Sequence, residues 1–283
     1  MNDPVATARA REEFRRCVHR LLAEGEGSVR LAELAAWIEA EGRSVEVEDV
    51  LAALQALASR AFLHVGSSGP ASDRVRGLVA FLSSLGFGSD GVDFDAPEGS
   101  FLGLVLETRR GLPLTVSVVF LDLARQLALP MEGLSTPGRF LLRSRGEEDL
   151  VIDPFAVRVV TDAECTKLFR SILGRDDVAF ARERSRAATV REMVTRILVN
   201  LRAGYGRRAE LAAALACTDR ILLLWPDDLG ELFRRGALYE QIGFVPSAIR
   251  DFERVSALAP DSDAAGAARE RLEHLRRSVH SVH

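Results

Sequence analysis

RRGLPLTVSVVFLDLARQLALP (Arg109 to Pro130), TPGRFLLR (Thr136 to Arg143) and LVIDPF (Leu150 to Phe155) are the three apolar blocks that decide the fold. In the first, Val116, Val119, Phe120, Leu123 and Leu127 recur at helical spacing. Pro113 suits a first helical turn, where its missing N–H costs nothing, and Pro130 lies just past the end. The β-branched residues Val116, Val118 and Val119 would be out of place on an exposed helix and suit a buried one. In the next two blocks, RFLLR and DLVID are short apolar runs separated by SRGEE, which predicts a β-hairpin. A buried helix followed by a small antiparallel sheet implies an α+β fold.

Upstream, RVRGLVAFLSSLGF predicts a helix through Val75, Leu78, Val79 and Leu82, ended by Gly86. A polar loop, GSDGVDFDAPEGS, follows, and FLGLVLETRRG predicts a helix ended by Gly111. GSSGPAS (Gly66 to Ser72) has linker composition. Residues 1–65 predict three helices, with apolar faces at Phe14, Val18, Leu21 and Leu22, at Leu31, Leu34, Ala35 and Ile38, and at Val47, Val50, Leu51, Leu54 and Leu57. The closing FLHV has the look of a short strand, so a winged helix-turn-helix fits the segment loosely. DNA reading fits poorly: the third helix opens with Glu46, Glu48 and Asp49 and has no basic residue before Arg60.

The C-terminal part repeats. ALACTDRILLLWPDD from Ala214 and AIRDFERVSALAPDS from Ala248 align at an offset of 34, matching Arg220 with Arg254, Leu224 with Leu258, Pro226 with Pro260 and Asp227 with Asp261. That period, with a Pro-Asp turn, resembles the tetratricopeptide repeat. Two copies are too few for a free-standing solenoid, so packing on the preceding helix, VREMVTRILVNLRAGY, is expected. The expected division is 1–65 helical, 66–72 linker, 73–188 α+β core, and 189–283 connecting helix and repeats.

Composition limits the functional classes. The 283 residues include 47% hydrophobic and 28% charged, with a formal net charge of −4. Such a balance argues against broad nucleic-acid or membrane-surface affinity. No secretory signal or spanning segment is visible, so cytoplasmic residence is expected. Cys17, Cys165 and Cys217 are too scattered for a disulfide framework or a metal knuckle. No Gly-rich phosphate loop is present, and no cofactor or metal is expected. His280 and His283 have metal-like spacing at a terminus prone to fraying.

Five landmarks occur in order: LGF, SFL, R-x-G-x-P, PG-x-F and DPF. With the Pro-Asp repeats they resemble the SirB-type branch of the transglutaminase-like family, over roughly Arg74 to Leu275. The resemblance implies a transglutaminase-like core joined to a tetratricopeptide pair. It also implies three catalytic positions: a cysteine nucleophile, a strand histidine that takes its proton, and an acid that orients the histidine. Here those positions fall on Thr115 (or, one step along the helix, Ser117), Arg139 and Asp153. There is no histidine between His64 and His274. Arginine is always protonated and cannot be the base, and a hydroxyl without a base is a poor nucleophile near neutral pH.

An Arg139–Asp153 ion pair replacing the family's His–Asp contact is expected, against two independent polar residues at strand ends. Ser117 has the alternative of bonding backwards within its helix, and Thr115 that of a plain N-terminal hydroxyl. Arg109 and Arg110 are candidates for holding an anionic ligand at the helix mouth, against the alternative of solvated surface arginines. The expected function is non-catalytic binding of another protein or peptide, through the repeats or the relict cleft. The alternatives are a hydrolase or acyl transferase using Thr115 or Ser117, and a transcriptional regulator acting through residues 1–65.

Overall fold

The computed structural model describes residues 3–136, 138–181 and 185–280, in two compact units, Met1–Ile197 and Leu198–His283. The first unit opens with α1 (Pro4–Glu24), α2 (Leu31–Gly42) and α3 (Val47–Val65). Then come α4 (Ala71–Ser84), a 3₁₀ turn at Pro97–Ser100, α5 (Leu102–Thr108) and α6 (Pro113–Gln126). Strands β1 (Met131–Leu134), β2 (Leu141–Ser144), β3 (Leu150–Asp153) and β4 (Arg158–Val160) form an antiparallel meander in chain order, followed by α7 (Asp162–Leu173). The architecture is α+β.

The expected buried helix is α6. It packs on α2, α3 and α5 and also on β1 and β2. Contact on several sides explains why Thr115, Val116, Ser117, Val118, Val119 and Phe120 are all buried, leaving no polar stripe. The hairpin is present, with Leu142 opposite Ile152 and Ser144 opposite Leu150. Strands β1 and β4, of four and three residues, flank it. In β1 Glu132 and Gly133 break the apolar run, and β4 has only three residues beginning with Arg158, so neither offers the apolar signal that β2 and β3 carry.

Three expectations are corrected. Phe62–Val65 is the last turn of α3 and not a strand, so residues 1–65 lack the wing. Nor is the N-terminal segment separate: α2 and α3 pack on α5 and α6 within the same unit. The stretch expected as a linker, Gly66–Ser72, is a five-residue connection (66–70) between the packed helices α3 and α4 followed by the first residues of α4, with the Arg74 Nε donating to the Gly66 carbonyl at 3.2 Å. The division between the two units falls at 197/198, inside α8 (Val190–Arg207), whose first residue follows directly on the expected start of the C-terminal part at 189.

In the second unit, α9 (Leu211–Leu224) and α11 (Val245–Leu258) start and end 34 residues apart, as do the starts of α10 (Leu229–Gln241) and α12 (Asp263–His280). The sequence period is therefore a structural one. At Gly236 on α10, an added Cβ would lie 2.8 Å from the ring of Phe252 on α11, so the small residue lets the two helices close up. Arg235 forks between two carboxylates, with Nε and Nη2 donating to Asp251 at 2.7 Å each and Nη1 to Asp219 at 2.9 Å. His280 ends α12, and His283 lies outside the described residues.

Candidate functional site

The N-terminus of α6 is positioned by main-chain contacts among three loops. The Gly111 N–H donates to the Gly88 carbonyl at 3.1 Å, and the Leu112 N–H to the Gly99 carbonyl at 2.8 Å. An added Cβ at Gly111 would meet Val105 Cγ2 at 2.3 Å, which is why R-x-G-x-P needs glycine there. At Gly88, φ is 152° and an added Cβ would lie 3.0 Å from the Phe155 carbonyl. The Ser89 N–H donates to that same carbonyl at 2.9 Å, strapping the Gly- and Asp-rich loop to the D-P-F turn.

Asp153, buried at the end of β3, accepts the Phe155 N–H on Oδ1 at 3.0 Å. Its Oδ2 lies 3.6 Å from Nη1 of Arg139, whose guanidinium carbon sits 4.1 Å over the Phe155 ring. Arg139 precedes β2 and is not in the ladder, so the contact comes from the chain entering the strand above Asp153. At 3.6 Å this is an ion pair without a direct hydrogen bond, and both side chains are largely shielded from water. The cation is thus held by a carboxylate and an aromatic face together.

Ser117, fully buried, donates to the Pro113 carbonyl at 2.7 Å, the backward i−4 bond. Thr115 is buried in the first turn of α6. The structure separates the two arginines that the sequence offered as a pair. Arg109 caps α5 in the left-handed conformation, φ 65°, and lines a cleft between α3 and α5. Arg110 is exposed, with its backbone bridged to Gly88. The cap shows that α5 ends at Arg109 and not at Gly111, whose role is close packing.

Three buried charges of the first unit were missed in the sequence. Glu39, fully buried on α2, accepts the Gly103 N–H, the Leu104 N–H at 3.2 Å and Arg43 Nη1 at 2.8 Å. A signal existed, since Leu31, Ala35 and Glu39 share one face at i, i+4 spacing. Asp122, on the buried α6, is held by Arg30 through contacts of 2.9 Å to each oxygen and by Gln126 at 2.7 Å. Arg143, buried on β2, donates to Glu132 on β1 and, at 3.2 Å, to the Ser185 carbonyl. Burial pushes the Glu132 carboxyl up, but hydrogen bonds from Arg143 and Arg145 outweigh it and leave the group below the usual carboxylate range.

All three cysteines are buried and free. Burial, aided by the nearby Glu33 carboxylate, pushes the Cys17 thiol up to about 12; burial alone pushes Cys217 to about 12. A protonated thiol is not a nucleophile. In the folded protein both are therefore expected to react with a disulfide reagent at least ~100-fold more slowly than in urea-unfolded chain, at equal pH. Fast labelling of either under native conditions would contradict the assignment. Among the described residues, no group of three His, Cys, Asp or Glu side chains is placed to hold a metal ion, and no helix is long and apolar enough to cross a membrane.

A family model described as the transglutaminase-like superfamily matches residues 48–199, more than half of the chain, and a tetratricopeptide repeat model matches 201–273. The chain is 32% identical over 233 residues to the UPF0162 protein PA3419 of Pseudomonas aeruginosa, covering 82% of this chain and 85% of that protein. It is 35% identical over 183 residues to a UPF0162 protein of Xylella fastidiosa, covering 63% of this chain and 65% of that one. Among solved structures, a crystal structure of menin matches with a TM-score of 0.40 and 11% identity over 89% of this chain and 70% of that one, too slight a likeness to carry an argument. The chain belongs to the transglutaminase-like superfamily, within its UPF0162 family, and carries tetratricopeptide repeats after the core.

Proposed function

We propose that the protein is a non-catalytic, SirB-type member of the superfamily that binds another protein or peptide in the cytoplasm. The observation that carries this reading is the state of the base position. Arg139 stands there, paired with Asp153 and stacked on Phe155, and a guanidinium cannot take a proton from a nucleophile. The hydroxyl at Ser117 is committed to the Pro113 carbonyl, and that at Thr115 has only the weak activation of a helix N-terminus. The tetratricopeptide match supports docking of a peptide, because such helix pairs present extended surfaces for it. The acidic opening of α3 weighs against nucleic acid as the partner.

The test is affinity capture with the intact chain beside a chain truncated after Arg207, the end of α8. A partner lost on truncation assigns binding to the repeats, and one retained assigns it to the first unit. Labelling of the core by an acyl-reactive probe, abolished by Thr115→Ala or Ser117→Ala, would overturn the non-catalytic reading.

A further inference from the structure

Away from the Arg139–Asp153 site, α3, α5 and the end of α2 enclose an open cleft of about 650 Å³. Its floor is apolar, formed by Val50, Leu57 and Leu106, and two guanidinium groups, Arg60 and Arg109, line its wall. Among the described residues neither arginine has a carboxylate partner. Each is instead set against an aromatic ring: Arg109 lies 5.0 Å from the Phe87 centroid and Arg60 6.0 Å from that of Phe81. Arg109 spends one N–H on the Leu106 carbonyl, which anchors the group at the cleft and leaves its other donors unassigned.

Two further facts favour a ligand over an accident of packing. Arg109 occupies a left-handed C-cap, where glycine costs least and an arginine backbone is strained. Burial, and then the neighbouring charge of Arg60, hold the Arg109 guanidinium below its ordinary proton affinity. Two like charges in a half-dry cleft repel, and an anion between them removes that cost. The acids at the rim do not serve: Glu107 is taken by Arg43 at 3.1 Å and Glu46 lies 3.7 Å from Arg9. Asp49 stands eleven residues before Arg60 on the same helix, about 16 Å away along its axis.

We propose that the α3–α5 cleft binds an amphipathic organic anion, its single carboxylate or phosphate head held between Arg60 and Arg109 and its apolar body on Val50, Leu57 and Leu106. The size of the cleft excludes a bare inorganic ion as the fitted occupant, since cavities of about 300–1,000 Å³ with apolar linings and a few polar groups suit whole small molecules. The pairing of two guanidiniums suits an oxyanion, because their N–H forks match its geometry.

The test is titration calorimetry on the intact protein at fixed ionic strength, with octanoate and octyl phosphate against acetate and inorganic phosphate. At least one eight-carbon probe is expected to bind tenfold or more tightly than its short counterpart, and the tighter of the two assigns the head as carboxylate or phosphate. Arg60→Gln, on an exposed helical position, and Arg109→Gly, natural at a left-handed cap, each preserve the fold. Each is expected to lose tenfold or more of that affinity, while Arg76→Gln, the same charge change on α4, leaves it unchanged. Absence of binding by both eight-carbon probes would overturn the proposal, as would undiminished affinity in Arg60→Gln and Arg109→Gly. So would acetate and inorganic phosphate binding as tightly as their eight-carbon counterparts.

Discussion

Glu39→Ala is expected to destabilise the first unit by about 3–5 kcal/mol, the range for removing one partner of a buried charge pair. Phe101 stands at the N-cap of α5 with no side-chain cap bond, so the first N–H groups of that helix need an acceptor from elsewhere. Glu39 supplies it from 64 residues away, and it also receives Arg43. Alanine leaves the buried Gly103 N–H and the half-buried Leu104 N–H without an acceptor and opens a void. Arg43 is 32% exposed and can turn towards Glu107, which places the loss nearer the lower figure. Glu39→Gln keeps an acceptor oxygen and is expected to lose about 1–3 kcal/mol, the cost of an imperfectly satisfied buried network. Urea unfolding of the three proteins followed by far-UV circular dichroism measures both differences; an alanine variant within 1 kcal/mol of wild type, on that scale of about 1–3, would refute the capping role.

The same residue sets a pH dependence. Burial raises the Glu39 carboxyl above its ordinary value despite the hydrogen bonds from Gly103 and Arg43. A raised folded-state pKa means that the folded chain takes up the proton before the unfolded chain does. Stability contributed by this group therefore falls as pH rises from 4.5 through the folded value. Glutamine removes that limb. The stability advantage of wild type over Glu39→Gln is accordingly expected to shrink with rising pH across this window, and a difference that stays flat from pH 4.5 upward would count against it.

Phe252→Ala is expected to cost the second unit about 3–5 kcal/mol, the range for truncating a buried aromatic side chain. The ring is fully buried, lies 5.2 Å from that of Phe233, and covers the face of α10 that Gly236 leaves bare. With α10 held that close, the cavity left by alanine has little freedom to collapse. Gly236→Ala acts from the opposite side, forcing a methyl group against the ring, and is expected to cost about 1–3 kcal/mol. The two tryptophans report separately, since Trp37 lies on α2 and Trp225 caps α9. In a Trp37→Phe background, Trp225 fluorescence then follows the second unit alone. A Phe252→Ala midpoint in urea equal to that of its parent would contradict the packing.

α6 was legible because its signals agree: proline at the first turn, apolar residues at helical spacing, and a β-branched run that only burial explains. The repeat was legible because two copies carry the same residues at the same offset. The helix end at Arg109 was not, because a left-handed arginine leaves no local mark and Gly111, nearby, looks like the terminator. The place of α2 and α3 was hidden for another reason. An amphipathic face states that something covers it and not what. Arg139 and Asp153 could be named from the landmarks, but their 3.6 Å contact depends on how the chain enters β2.

By itself the sequence determined most of the helices, the hairpin, the 34-residue repeat and the absence of cysteine and histidine at two of the three positions the resemblance implies, because these depend on residue identity and on the fixed periods of the backbone. Only the tertiary structure decided where the buried charges go, Glu39 to the start of α5 and Asp122 to Arg30 across 92 residues, and that Arg60 stands beside Arg109 in one cleft. Desolvation requires a buried charge to be compensated, yet any opposite charge or orphan amide satisfies that requirement. The choice among them belongs to the packing of elements far apart in the chain.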